Sequence, residues 1–172
     1  GFIRDITQRK QFENLRIQQL AQQRDALVRE VHHRIKNHLQ GMVGLLNLYS
    51  AKQPAERDLI QDITAKISSI AAVYGVQGKS HQDNTYLCEI TFEVCKSLEM
   101  FGMVQTNIQY SDINLQRILL PSECAVPIAL IINELIVNAI KHNIDGMPKN
   151  IVVELSVKEH TAILVIQNSC RE

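Results

Sequence analysis

Tryptophan is absent, aromatics make up only 5% of the residues, and neither sign of charge is in excess, with 18 basic against 18 acidic side chains. The charge balance argues against a dedicated nucleic-acid binder, which carries a basic surplus. No uninterrupted apolar run approaches the roughly 18 residues that a bilayer demands, so no membrane segment is expected in this chain. The polar start, with Arg4, Asp5, Arg9 and Lys10, does not read as a signal peptide. Cysteine is scarce too: Cys88, Cys95, Cys124 and Cys170 show no C-x-x-C spacing and none adjoins a histidine cluster. They read as reduced thiols of a cytoplasmic protein rather than as a disulfide framework or a zinc site. Internal repeats and low-complexity tracts are also missing. What remains is a chain of 172 residues that is 45% hydrophobic, enough core for one domain or two small ones.

Helical periodicity dominates the first half. Residues 1–7 read as a short extended lead-in, followed by a long helix from about Gln8 to Ala51 rich in Gln, Arg, Leu and Ala. Val28, Val31, Ile35, Leu39, Met42 and Leu46 recur at steps of three and four, a heptad seam. Ser50 to Pro54 reads as a turn, with Pro54 starting a second helix that runs to about Val76. Its own seam is Leu59 or Ile60, then Ile63, Ile67, Ile70 and Tyr74. Two long helices with a short connection form an antiparallel hairpin, and a hairpin alone leaves its stripes wet. Pairing two of them buries the stripes, so a homodimeric four-helix bundle is expected.

The pattern changes after the polar, glycine-containing stretch from Gly75 to Asn84, which reads as a linker. Helices are expected over 86–101 and 126–142, the latter with Pro127 in its first turn. Strands are expected over 104–110, 151–157 and 162–167, the last two as a hairpin. The fold class is therefore α+β, with helices packing on a sheet.

Two constellations carry chemistry. In Glu30-Val-His-His-Arg-Ile-Lys-Asn37, a helical wheel places His33 opposite the seam and His32 on its flank. Glu30 and Asn37 lie three before and four after His33, on the same face. Glu30 is positioned to orient the ring and keep the attacking nitrogen neutral, and Asn37 to hold a phosphate oxygen or a water. Arg34 and Lys36 add positive charge. In Asn133-Glu-Leu-Ile-Val-Asn-Ala-Ile-Lys-His142, Glu134, Asn138 and Lys141 form a polar stripe apart from the apolar face. A carboxylate, an amide oxygen and an ammonium in line suit a magnesium-bound triphosphate, with His142 beside them. Each segment taken alone also reads as an ordinary solvated helix face.

Together, and in this order, the segments resemble sensor histidine kinases. E-V-H-H-R-I-K-N-H-L-Q is similar to the H-box of the branch that reads H-R-x-K-N, related to the HWE kinases. N-E-L-I-V-N-A-I-K-H is similar to the N-box of their Bergerat-type ATP-binding domain. K-I-S-S-I-A-A-V-Y resembles that branch's second bundle helix, although Tyr74 stands where a histidine is usual. The opening G-F-I-R-D-I-T-Q-R-K-Q-F-E resembles the exit of a PAS sensor domain. The resemblance implies a PAS-exit lead-in and signalling helix at 1–26, a dimerisation and phosphoacceptor domain at 27–76, a linker at 77–84 and a partial ATP-binding domain, an α/β sandwich, at 85–172. It implies ATP and Mg²⁺ as cofactors, His33 as phosphoacceptor, and Glu134 near the catalytic water or magnesium shell. Asn138 becomes the metal ligand, and Lys141 and His142 the phosphate contacts. A response-regulator receiver domain is the implied partner, docking on the homodimer's bundle, with a PAS-type sensor upstream.

The chain departs from that pattern at its end. Where an adenine-recognising D-x-G-x-G is expected, it reads Asn168-Ser-Cys-Arg-Glu172, with Asn168 for the aspartate and Cys170 for a glycine. A glycine-rich lid does not follow. The chain is thus expected to be a piece of a longer kinase. The alternatives are a dimeric phosphotransfer or scaffold module that does not use ATP, and a divergent lid beyond Glu172.

Overall fold

The computed structural model describes residues 2–79, 84–100, 105–110, 118–142, 150–159 and 161–168. A single helix, α1, runs Phe2–Lys52, so the stretch expected as an extended lead-in is helical. Nothing in Phe2 to Thr7 breaks a helix, and the Gln- and Arg-rich residues that follow propagate it backwards at little cost. Gln53 ends it ahead of Pro54, whose ring disfavours helix in the preceding residue; the Gln53 N–H still donates to the Tyr49 carbonyl at 3.1 Å. A 3-10 turn over Pro54–Glu56 then leads into α2, Arg57–Gln77. The remaining elements are β1 (Asn84–Tyr86), α3 (Leu87–Met100), β2 (Gln105–Tyr110), β3 (Leu119–Pro121), α4 (Ser122–Lys141), β4 (Asn150–Lys158) and β5 (Thr161–Gln167).

α1 and α2 pack as the expected hairpin, but the inward face of α1 differs from the seam as read. Val28, His32, Ile35, Leu39, Val43 and Leu46 are half-buried against α2, whereas Val31 and Met42 point outward. A heptad seam in a bundle serves two contacts at once, and the chain's own second helix covers only one. Leu27, Val31, Leu45, Leu48 and Tyr49 of α1 and Leu59 of α2 stay exposed as a second apolar stripe.

α2 is shared. Its other side joins a core with α3, α4 and the sheet, in which Ala65 and Val73 pack with Ile90, Val94 and Leu98 of α3 and Ala129, Ile132 and Ile136 of α4. Those apolar residues recur at three- and four-residue steps, one stripe per helix. Ile151, Val153 and Leu155 of β4 alternate into the core, as a strand with one covered face requires. Hydroxyls buried in the helices are satisfied locally: Thr64 donates to the Ile60 carbonyl, Ser69 to Ala65 and Thr91 to Leu87.

The sheet has the order β2-β4-β5, with β2 parallel to β4 and β4 antiparallel to β5. The β4–β5 hairpin closes with Lys158 opposite Thr161, and Glu159 takes a left-handed φ of 56° in the turn. The three-residue β1 and β3 pair antiparallel and were not anticipated. Glu99 at the end of α3 accepts from both the N–H and the hydroxyl of Thr106, fixing β2 to the helix. The described part is α+β, as expected.

α4 starts four residues earlier than expected, so Pro127 sits in its second turn, on an exposed position. With a mean hydropathy of 1.7 over 20 residues, α4 is long and apolar enough to cross a membrane, which the run-length reading missed because Asn133 and Glu134 interrupt the apolar stretch. Its apolar stripe is instead covered by α2 and α3. Truncating Leu98 to Ala, fully buried between α3 and its neighbours, is expected to cost about 2–5 kcal/mol in urea unfolding. Phe12→Ala, 74% exposed on α1, is expected to leave the midpoint unchanged.

Candidate functional site

The adjacent histidines separate by burial. His32 turns inward: its ring centroid lies 5.7 Å from that of Tyr74, tilted by 54°, and its Nδ1 is buried without a hydrogen-bond partner. His33 is exposed, one helical step away. Its imidazole lies against the C-terminal end of α2, where a Cβ on Gly78 would be only 3.4 Å from Nε2. One turn further along α1, the stem of Lys36 lies over Gly75, its Nζ 3.5 Å from where a Cβ would stand. Gly75 in α2 and Gly78 just past its end thus lie beside Lys36 and His33, which are three apart on α1.

Glu30 does not meet His33. Its carboxylate accepts from Arg34 Nε at 2.7 Å, an exposed pair one helical turn apart. The ring-orienting role expected for Glu30 is thus not formed in this arrangement, because the guanidinium four residues on offers a charged partner in better reach. Asn37 is exposed on the same face.

The second constellation faces α2. Glu134 meets Lys66 at 2.7 Å, Lys66 also meets Asp62 at 2.8 Å, and Lys141 approaches Asp62 at 3.8 Å. Hydrogen bonds that it donates to Asp62 and then to Glu134 hold the Lys66 ammonium well above the ordinary lysine range. Asn138 and His142 are exposed. Next to Glu134, Asn133 has no exposed surface; its Nδ2 donates to the Ala65 carbonyl at 3.2 Å and to Ser69 Oγ at 2.8 Å. Sequence reasoning passed over Asn133, Lys66 and Asp62. The four-residue spacing of Asp62 and Lys66 was visible, but nothing local showed that α4 would join them. Asn168, read from the sequence as standing where an adenine-recognising aspartate is expected, donates to the Ala139 carbonyl at 2.9 Å, beside Asn138; Cys170 lies outside the described residues.

The two constellations are not brought together. Gly78, beside His33, and Lys66, beside Glu134, are twelve residues apart on α2, or about 18 Å along its axis. Between them, on the side of α2 away from the ion pairs, a cavity of about 300 Å³ opens between the hairpin and α3, lined by Lys36, Gln40, Gly75, Lys79, Glu93 and Lys96 among others. Among the described residues no cluster of three or more His, Cys, Asp or Glu is placed to hold a metal. Asn138 and Glu134 supply oxygen donors one turn apart, the chemistry a hard cation such as Mg²⁺ takes.

Among the described residues the cysteines are free thiols: Cys95 is buried, and Cys88 and Cys124 are partly so. Burial first, and the nearby Glu99 second, push the Cys95 thiol up to about 12. At pH 8 iodoacetamide is expected to label Cys124 in the native chain and to reach Cys95 only on unfolding, as read by peptide mass. Asn133→Ala removes the buried hydrogen bonds to Ser69 Oγ and the Ala65 carbonyl and is expected to lower stability by about 1–3 kcal/mol in denaturant titration.

Comparison with known proteins points to the histidine kinases in general terms. Residues 30–99 match the family model HisKA_2, described as histidine kinase. The chain is 28% identical over 146 residues to the sensor histidine kinase PdtaS of Mycolicibacterium smegmatis, an alignment covering 84% of this chain. It is 30% identical over 145 residues to PdtaS of Mycobacterium tuberculosis, covering 83% of this chain. In each case the chain spans only 28% of the relative's length. No solved structure matches. The matched residues begin at Glu30 and take in His33, both helices of the hairpin from there on and most of α3, and with the relatives they support, in general terms, a histidine kinase of a two-component system.

Proposed function

We propose that this chain is the signalling helix, the dimerisation and phosphoacceptor hairpin and the leading part of the ATP-binding domain of a cytoplasmic sensor histidine kinase. On this reading His33 takes the γ-phosphoryl group of ATP and passes it to an aspartate on a response-regulator receiver domain. The observation that carries it is the separation of the two histidines: within the segment matching the kinase family, His32 is packed against Tyr74 and His33 alone of the pair is exposed.

The residues divide the work as follows. The neutral His33 ring offers the Nε2 lone pair to the γ-phosphorus, and the bond from phosphorus to the bridging oxygen breaks as ADP leaves with its electron pair. Asn138 and Glu134 would hold Mg²⁺, which when bound neutralises charge on the phosphates. Lys141 and His142 contact phosphate oxygens, and Asn37 positions one at the acceptor. Positioning and charge neutralisation account for most of such catalysis. The exposed stripe of Leu27, Val31, Leu45 and Tyr49 with Leu59 of α2 supports a homodimer, since a second hairpin buries it. A PAS-type sensor upstream of α1 completes the reading.

A second reading, a dimeric phosphotransfer or scaffold module that does not use ATP, draws on the ion pairs. Lys66 already occupies Glu134, and Asp62 already draws Lys141. Incubation with Mg-ATP separates the two. In a version extended past Glu172, acid-labile phosphate is expected by intact mass, lost in His33→Ala, retained in His38→Ala and reduced at least tenfold in Asn138→Ala. Normal dimerisation without any phosphate would favour the second reading. An unchanged rate in Glu30→Ala would confine Glu30 to its pair with Arg34.

A further inference from the structure

We propose that one turn of α2, carrying Asp62 and Lys66, is an internal imitation of magnesium-bound nucleotide: Lys66 takes the place of the cation at Glu134, and Asp62 that of a phosphate oxygen at Lys141. The inference rests on Glu134, Asn138 and Lys141 being the stripe that binds nucleotide, and it concerns what ATP must displace in order to bind there.

The charges answer each other crosswise. On α4, Glu134 and Lys141 stand about two turns apart on one face. On α2, an anion and a cation one turn apart meet them: Lys66 Nζ lies 2.7 Å from Glu134 Oε1, and Asp62 Oδ1 lies 3.8 Å from Lys141 Nζ. The carboxylate that suits a hard cation is thus met by an ammonium, and the ammonium that suits a phosphate is met by a carboxylate. Asn138, between them in the chain, is exposed, and among the described residues its side chain bonds to neither Asp62 nor Lys66. The imitation therefore covers the charged members of the stripe and leaves the neutral oxygen donor open to an arriving cation.

The same pair explains how the imitation lets go. Lys66 also donates to Asp62 Oδ2 at 2.8 Å, within α2 and one turn away. When a ligand takes Glu134 and Lys141, that bond remains, so neither side chain of α2 is left without a partner. All four groups keep contact with water, from 26% exposure for Asp62 to 61% for Lys141, and exposed pairs of this kind add little net stability. The imitation is therefore a competitor that weakens nucleotide binding by a modest factor. Its supply is fixed by the fold, because Asn133 seats α4 beside Ala65, the residue before Lys66.

Titration calorimetry with Mg²⁺ and a non-hydrolysable ATP analogue tests this, on the version extended past Glu172, with circular dichroism confirming that each variant is folded. Lys66→Met keeps the aliphatic stem and removes the imitation cation. It also removes a positive charge, which by long-range attraction alone weakens the binding of an anion. The imitation reverses that sign, so the Kd is expected to fall at least threefold. Asp62→Asn combined with Lys66→Met leaves the net charge as it was, removes both halves of the imitation, and is expected to lower the Kd further. Lys79→Ala removes a positive charge just past the end of α2, away from the stripe, and is expected not to lower it. A Kd equal to or above that of the wild type in both Lys66→Met and the double variant would overturn the imitation and leave the ion pairs a purely structural contact. Failure of the kinase reading shows differently, as absence of nucleotide binding in the wild type and every variant alike, and it removes the imitation with it.

Discussion

The buried amide of Asn133 makes the two halves of the chain one body. Its Nδ2 bonds to the Ala65 carbonyl and to Ser69 Oγ with no exposure to solvent. A buried polar group stripped of partners is costly, so sliding α4 along α2 by a turn would strand the Asn133 Nδ2 donor, whose amide oxygen already lacks a partner among the described residues. The rest of the register follows. With Asn133 seated at Ala65, the next residue on α4, Glu134, meets the next on α2, Lys66. Ala65 and Val73 then enter the same core as Ile90, Ile132 and Ile136.

That register has a chemical cost for the stripe proposed to bind nucleotide. The face carrying Glu134 and Lys141 is turned toward α2, and its charges are met by Lys66 and Asp62 before any ligand arrives. These groups are partly exposed, and such pairs contribute little net stability, so a divalent cation or a phosphate can displace them. His33 stands at the other end of the same helix. If the stripe binds ATP, this arrangement is one in which acceptor and donor are held apart, and transfer requires a different placement of α4 or a donor from the partner hairpin.

The parts of the fold with a period were legible. α1, α2, α3 and α4, with strands β2, β4 and β5, were each visible as a run of the right spacing, and His33 was separable from His32 by the wheel alone. What escaped had no period. β1 and β3 are three residues each and are defined only by pairing across more than thirty residues. The ion pairs of Lys66 depend on where α4 lands, which Asn133 decides; a lone asparagine inside an apolar helix gives no local sign of its partner. The seam of α1 was found but its inward edge was misplaced toward Val31 and Met42, because a heptad repeat marks how wide a stripe is and not which neighbour covers each side. Glu30 was assigned to His33 on shared face alone, without weighing Arg34, which lies on that face as a stronger competitor.

α1 has a mechanical meaning apart from its chemistry. From Phe2 to His33 it is a continuous helix without proline or glycine, and from residue 9 to 24 every described side chain is exposed. Among the described residues nothing in this chain packs against residues 9–24, and the helix from Phe2 to His33 is a shaft about 46 Å long. A twist applied at its first turn arrives at His33 as nearly the same twist. The first place where that rotation meets resistance is the hairpin contact near Val28 and His32, immediately before the exposed imidazole. A rotation of this helix would therefore turn the exposed imidazole of His33 relative to Gly78.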